Sequence, residues 1–428
     1  MTWNQRYAVR SYIRSSLWVV PFFALILEQA TTHVLLKIDA WISWVPKWPF
    51  SMPATLLTVQ SIITLELSFL VFTFGSMLVA IQVASGQLTP RIIATTLLRD
   101  NVIRLTVGLF VFALLLALGT VARLDAGLPD AHLWTAALLG FSSIIVFLYL
   151  IDYAARLLRP VSIVWRIGEH GIAVIKSVYP TPTDEAEALD RGRPQLGPPE
   201  RTINHSGTSA IVLGVDINAL VSEAVRADAL IEFVPRVGDF VAVGDPLFKF
   251  HGGAMLDEHR LKGLVAFGPE RTIEQDSTFA FRVIVDIALK ALSKAINDPT
   301  TAVLAIDQLQ RLLRLVGLRH LHDDQLRDAS GRVRLIFPTP NWDDFVQLTF
   351  SEIRLHGAGE LQVARRLRAM IDSLIDVLPE RRRPALAQEL ALLDRAIERL
   401  YPLPEDRALA RTPDTQGIGG ASPMPVSR

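Results

Sequence analysis

The sequence predicts a membrane α-helical bundle of four transmembrane helices, followed by a cytoplasmic α+β region with a small β-rich, barrel-sandwich-like module and a helical C-terminal part. Three observations lead there. Four apolar runs, each long enough to cross roughly 30 Å of hydrocarbon as a helix, lie within the first 166 residues. Arginines gather on alternate sides of those runs. Beyond residue 207 the apolar residues change habit, falling first in short pairs between Gly-Asp turns and then in helical stripes. Composition agrees, because a chain of 428 residues with 50% hydrophobic and 20% charged side chains and a mean hydropathy of +0.33 is too apolar for an ordinary soluble protein. The absence of cysteine excludes disulfides, thiolate metal sites and cysteine nucleophiles. A formal net charge of +0 offers no basic excess for nucleic acid and no acidic one either.

The expected spans cover residues 15–34, 55–84, 105–124 and 133–155. No small-residue cleavage site follows the first, so it reads as an uncleaved span. Arg6, Arg10 and Arg14 precede it; Arg91, Arg99 and Arg104 separate the second and third; Arg156, Arg159 and Arg166 follow the fourth. The other side holds Lys37, Lys47 and Arg123 beside Asp39, Asp125 and Asp130. Positive-inside bias then puts both termini and the C-terminal half in the cytoplasm. Trp41, Trp44 and Trp48 are spaced to share one face of an interfacial helix on the outer leaflet, with a loop as the alternative because of Pro46 and Pro49.

The second span is the most informative of the four. Ser61, Thr64, Ser68, Gly75 and Gln82 form one stripe at helical spacing, and Glu66, Thr73 and Ser76 lie on nearly the opposite side. An acidic side chain in lipid costs about 3 kcal/mol or more unless it is neutral, paired or wet. Two polar faces therefore predict a central helix, surrounded by other helices or water. On the structural reading the small residues let helices approach; on the functional one Glu66, Thr73 and Ser76 line a polar path for ions or protons.

The organisation expected from these shifts is a transmembrane domain over 1–166, a connecting segment over 167–207, the β-rich module over 208–270, a helical domain over 271–403 and a disordered tail over 404–428. In the module, Asp216 suits the N-cap of a helix carrying Leu220, Val221 and Ala224, and Val237-Gly238-Asp239 and Val243-Gly244-Asp245 are turn signals. This "VGD-V--GD-L" phrase is similar to that of lipoyl domains and efflux adaptor proteins. No lysine stands on an exposed hairpin for lipoylation, so the module reads as structural. In the helical part, Phe279, Val283, Ile287, Ala291 and Ile296 form one stripe. Asn297 ends that run, Asp298 suits an N-cap and Pro299 a first helical turn, which makes a helix-to-helix corner. A site is the alternative there, if Asp276, Arg282, Asp286, Asn297, Asp298 and Thr301 converge on an anion or a cation. A strand is expected over 333–337, and helices over 342–354, 360–377 and 384–401.

No phosphate loop, dinucleotide fingerprint, zinc-protease helix or nucleophile elbow occurs. No catalytic residue, metal site or cofactor is expected; "HLHDDQ" at 320–325 and "RRR" at 381–383 read as solvated segments. "AIQVASGQLTPR" at 80–91, with "QDSTFAFRVIVDIALKALSKAINDPTTAV" at 275–303, resembles the bacterial predicted-membrane-protein family catalogued as domain of unknown function 2254. The likeness covers the chain to about residue 404 and departs at Lys294, where the family usually shows proline, and at Thr89, where serine is common. It implies a bacterial inner-membrane location. It also marks Gln82, Pro90, Arg91, Gln275, Asp276, Arg282, Asp286, Asn297, Asp298, Pro299 and Thr301 as recurring residues without assigned roles. Ser68, Gly75, Gln82, Pro90 and Arg91 are the expected packing or coupling residues. The functional expectation is an oligomeric channel or transporter-like protein with a cytoplasmic regulatory domain, partnered by lipid, by its own copies and by an ion or small ligand. The alternative is a membrane-anchored scaffold or sensor.

Overall fold

The computed structural model describes residues 2–16, 18–38, 45–87, 100–126, 130–157, 159–183, 196–252, 256–321 and 324–412. The chain divides into two compact units, one comprising Tyr12–Gly86 with Pro90–Ile163, the other Met1–Ser11, Gln87–Thr89 and Val164–Arg428.

A short helix, α1 (Trp3–Ser15), precedes four long ones, α2 (Val19–Ile38), α3 (Met52–Gln87), α4 (Asn101–Arg123) and α5 (Asp130–Leu157). All four are long and apolar enough to cross a membrane. Close packing in this unit is set by glycines. A Cβ on Gly108 of α4 would lie 2.5 Å from Val20 Cγ1 of α2, and one on Gly140 of α5 would lie 2.8 Å from Ile62 Cγ1 of α3. Such positions accept only hydrogen, so the helix surfaces can touch.

The sequence predicts α3 as the central helix, and here the fold differs. The most covered span is α4, with 44% of its apolar window buried against 28% for α3. Only the face of α3 with Val59, Ile62, Glu66, Phe69, Thr73 and Met77 is buried. Ser61, Thr64, Ser68, Gly75, Ser76 and Gln82 are exposed on the single chain. The reason is local. The hydroxyls of Ser61, Thr64 and Ser68 donate to the carbonyls four residues back at 2.8, 3.0 and 2.7 Å, and Ser76 donates to Thr73 O at 3.0 Å. Hydroxyls satisfied by their own helix do not require a neighbouring one.

The expected tryptophan helix also differs. Trp41 and Trp44 lie outside the described residues, and Trp48 sits in non-helical chain between Pro46 and Pro49, whose missing amides oppose a helix. Trp48 instead donates Nε1–H to Thr55 at 2.8 Å and its backbone N–H to Asp130 at 2.9 Å, edge-on to Trp134 at 5.0 Å.

The second unit mixes helix and sheet. α6 (Pro160–Val178) carries Ile163, Val164, Ile167 and Ile175 on its buried side and extends into the expected connecting segment. Then come β1 (Arg201–Asn204), β2 (Ala210–Val215), α7 (Ile217–Arg226), β3 (Leu230–Phe233), β4 (Phe240–Val241), β5 (Pro246–His251), α8 (Glu258–Lys262) and β6 (Val265–Gly268). α9 (Ser277–Ala291) and α10 (Pro299–Gly317) follow, then β7 (Gln325–Arg327), β8 (Val333–Ile336), α11 (Trp342–Gly357), α12 (Leu361–Val377), α13 (Arg383–Leu400) and α14 (Pro404–Ala410).

Among the described residues the strands form a five-stranded sheet in the order β1-β5-β3-β8-β7 and a three-stranded one in the order β4-β2-β6. Every pairing is antiparallel except β3 with β8, where Ile231 faces Leu335 in parallel register. The sheets share one core, in which Val212, Val241 and Val265 of the smaller pack with Ile231, Leu247, Phe248 and Leu335 of the larger. Gly238 and Gly244, the two turn glycines read from the sequence, have φ of 97° and 94°, which other residues adopt only at a cost.

The tail expected to be disordered from residue 404 begins with α14. Pro404 sits in its first turn with Glu405 and Asp406, a favourable start, and Ala410 is fully buried. Arg411 then bonds Asp394 at 3.0 Å and Glu398 at 2.9 Å. Residues 413–428 lie outside the described ones.

Candidate functional site

In the helical unit, α3 and α5 both run away from the connections at Met52 and Asp130. Contact at Ile62 and Gly140 fixes their register, and one helical turn on it brings Glu66 against Ser143. Both residues have no exposure, and the two carboxyl oxygens of Glu66, the hydroxyl of Ser143 and that of Thr73 are buried without a hydrogen-bond partner. Buried polar atoms in native proteins are almost always satisfied, so the unpartnered atoms of Glu66 and Ser143 are exceptional.

Apolar layers close this spot on both sides along the helices. Val59, Ile62 and Ala117 pack toward the helix starts of α3 and α5. Toward the other ends, Phe69 stacks on Phe147 at 4.1 Å, with Phe110 5.5 Å from Phe69. Thr73, two turns beyond Glu66, stands past that aromatic layer, and Ser76 faces outward. The expected path of Glu66, Thr73 and Ser76 is therefore interrupted on a single chain, because the Phe69–Phe147 stack fills the space between the first two.

Two further polar groups lie in the same unit. At one end, Glu28 of α2 accepts from Thr32 at 2.9 Å and Gln29 at 2.8 Å, and a Cβ on Gly119 would lie 2.8 Å from Arg123 Nη1 and 3.1 Å from Glu28 Oε1. There Thr120 donates to Leu116 O at 2.7 Å, so His132 Nε2, 3.1 Å away, is the donor to Thr120, which leaves its Nδ1 buried as an unpartnered acceptor. At the other end, Asp100 caps α4, accepting from Val102 and Ile103, and takes the Tyr153 hydroxyl at 2.5 Å, while Arg104 donates to Ile13 O at 2.8 Å. Sequence reasoning missed Ser143, His132 and Thr120. Ser143 follows Ser142 in an apolar run, His132 lies two residues after Asp130 and Thr120 three before Arg123, and only the packing of α4 and α5 shows which of these polar residues have polar company.

In the mixed unit the corner residues form three separate groups. Asp276 is the N-cap of α9, accepting from Thr278 and Phe279 N–H at 3.1 and 3.0 Å, and is 4% exposed. Its other oxygen takes Arg271 at 2.5 Å, close to Gly238. Gln275 beside it accepts from Val215 N at 2.9 Å. Arg282, half-way along α9, bonds Asp286 at 3.0 Å and forks onto Glu352 of α11, with Nη2 to Oε2 at 2.8 Å. That pair stitches two helices together. At the far end α9 stops at Ala291, before Lys294 and Ile296. Asn297 adopts φ of 50°, and Asp298 N–H donates back to Ala291 O at 2.8 Å. Asp298 then caps α10, accepting from Thr301 N at 3.0 Å and Thr301 Oγ1 at 2.5 Å, with Pro299 in the first turn. Convergence of Asp276 with Asn297 and Asp298 does not occur, because the 15 residues of α9 hold them about 22 Å apart. Pro90 and Arg91 lie outside the described residues.

A cavity of about 520 Å³ adjoins the start of α9, lined among others by Trp3, Tyr179, Asp216, Arg236, Gln275, Asp276 and Ser277. Tyr179 is 1% exposed, with its hydroxyl 3.5 Å from Ser277 Oγ, and burial pushes its pKa up to about 12.

The model of a family described as "Predicted membrane protein (DUF2254)" matches residues 14–373. The chain belongs to that family. The chain is also similar to two mycobacterial proteins, the uncharacterized protein Mb1321c of Mycobacterium bovis and the uncharacterized protein Rv1290c of Mycobacterium tuberculosis, each 26% identical over 439 residues, covering 95% of this chain and 81% of the relative. No solved structure matches. Membership makes this DUF2254 chain a membrane protein, in keeping with its four candidate spans, and assigns no activity to it.

Proposed function

We propose that this DUF2254 chain is a transporter-like protein of the bacterial inner membrane that moves protons or small cations, with Glu66 as the group that holds the passenger. One observation carries the reading: a carboxyl group with no exposure and no ionic partner among the described residues, set against Ser143 between two apolar layers. An unpartnered carboxylate in such a place is too costly to keep charged and empty. It holds a proton, or a cation with its hydration shell replaced by oxygen ligands. The closed layers support an occluded, carrier-type arrangement over a water-filled pore. The arginine distribution supports insertion with both termini in the cytoplasm. The outward face of α3, with Gly75 and Gln82, supports assembly with further copies. The common core of the two sheets supports the barrel-sandwich reading of the module between α6 and α9.

The test uses the purified full-length protein in liposomes with a trapped pH dye, under imposed proton and sodium gradients. Gradient-dependent flux above empty vesicles is expected, with Glu66→Gln abolishing it and Ser143→Ala slowing it. Vesicles that stay tight under both gradients would refute the proposal.

A further inference from the structure

The cavity beside α9 has a charge pattern that selects a ligand class. Its apolar walls include Trp3, Tyr179, Phe233 and Phe337. Its polar lining includes Asp216 and Arg236, which make no ion pair with each other among the described residues. Asp216 uses one oxygen to cap α7 at Ala219 N, 3.1 Å away, and its second oxygen has no partner among the described residues. Among the described residues the Arg236 side chain makes only a 3.3 Å contact with Asp344 through one Nη, and it is 45% exposed. Asp276 adds no free charge, since Arg271 neutralises it.

A simple anion at Arg236 would share the cavity with the carboxylate of Asp216, and a simple cation at Asp216 would share it with the guanidinium. A molecule bearing both charges answers both groups, while its apolar body occupies the aromatic side. We propose that the cavity is a binding site for a small zwitterion with an apolar or aromatic body, an α-amino acid of the tryptophan type, whose ammonium meets Asp216 and whose carboxylate meets Arg236. The occupant would also touch Trp3 of α1 and the end of α6 at Tyr179, the two helices that precede the first span and follow the last in the chain. Such contacts give bound ligand a direct hold on the segments leading to the spans. The inference stands on the cavity alone and needs no ion movement, so its failure and that of the carrier reading are separable.

The test is isothermal titration of full-length protein in nanodiscs with L-tryptophan, tryptamine and indole-3-propionate. L-Tryptophan is expected to bind at least tenfold tighter than either analogue. Asp216→Asn keeps a good helix cap and should erase the advantage over indole-3-propionate. Arg236→Gln should erase the advantage over tryptamine. Glu258→Gln, on α8 and outside the cavity lining, should leave all three affinities unchanged and controls for folding. Equal affinity for the three probes, L-tryptophan binding weaker than about 1 mM, or unchanged binding in both cavity variants would overturn the proposal.

Discussion

Asp276 performs two tasks with two oxygens, and the tasks can be separated by substitution. One oxygen caps α9 through Thr278 and Phe279 N–H, and the other takes Arg271. Loss of an N-cap costs about 1 kcal/mol. The ion pair sits between limits, since Asp276 is 4% exposed but Arg271 is 31% exposed, so solvent screens part of it. Its loss is worth roughly 1–2 kcal/mol, between an exposed pair and a buried one. Asp276→Asn keeps a capping oxygen and drops only the charge, so a loss of about 1–2 kcal/mol is expected; Asp276→Ala drops both, for about 2–3 kcal/mol. Hydrogen exchange of full-length protein, followed on peptides covering the first turn of α9, reads the difference. Thr278 and Phe279 should lose about fivefold more protection in the alanine variant than in the asparagine one. Equal protection in the two variants, or wild-type protection in the alanine one, would show that the cap and the pair do not hold this turn as argued.

Gly140→Ala places a Cβ 2.8 Å from Ile62 Cγ1 and 3.1 Å from two further Ile62 carbons, so thermal stability in detergent should drop by about 1–3 kcal/mol. Ile62→Ala in the same chain should restore much of it, as a double-mutant cycle would record. Asn297→Val forces a β-branched residue into φ of 50° and is expected to cost about 1–2 kcal/mol, whereas Asn297→Gly should be near neutral. Asp328 is held well below the usual carboxylate range by the Ser330 hydroxyl first and by Arg334 second. A depressed folded-state pKa stabilises above the unfolded value near 4 and is lost as pH falls below it. Stability of the wild type should accordingly decline more steeply below about pH 4 than that of Asp328→Asn, a comparison made by thermal unfolding across acid buffers.

What could be read from residues alone was what depends on near neighbours. The four spans, the caps at Asp216 and Asp298 and the glycine turns at Gly238 and Gly244 all follow from sequence within a few positions. The rank of helices within the bundle did not, because a serine that bonds its own helix and one that faces a neighbour look the same in a sequence; Ser68 and Ser143 are that pair of cases. Helical periodicity placed Glu66 and Thr73 on one face, yet it could not show the phenylalanine layer inserted between their levels by α5. The family phrase around Asn297 and Asp298 was legible as a corner. Its distance from Asp276 follows from the length of α9, and the cavity beside Asp276 needed walls from α1, α6 and β8, hundreds of residues apart in sequence.

The parallel partnership of β3 with β8 carries a cost for biosynthesis. About a hundred residues separate Ile231 from Leu335, so a nascent chain leaving the ribosome must hold β3 with one side open until the intervening helices have emerged. Open strand edges invite pairing with other chains. A recombinant fragment that ends before residue 333 would keep that side bare, and is expected to be recovered in inclusion bodies.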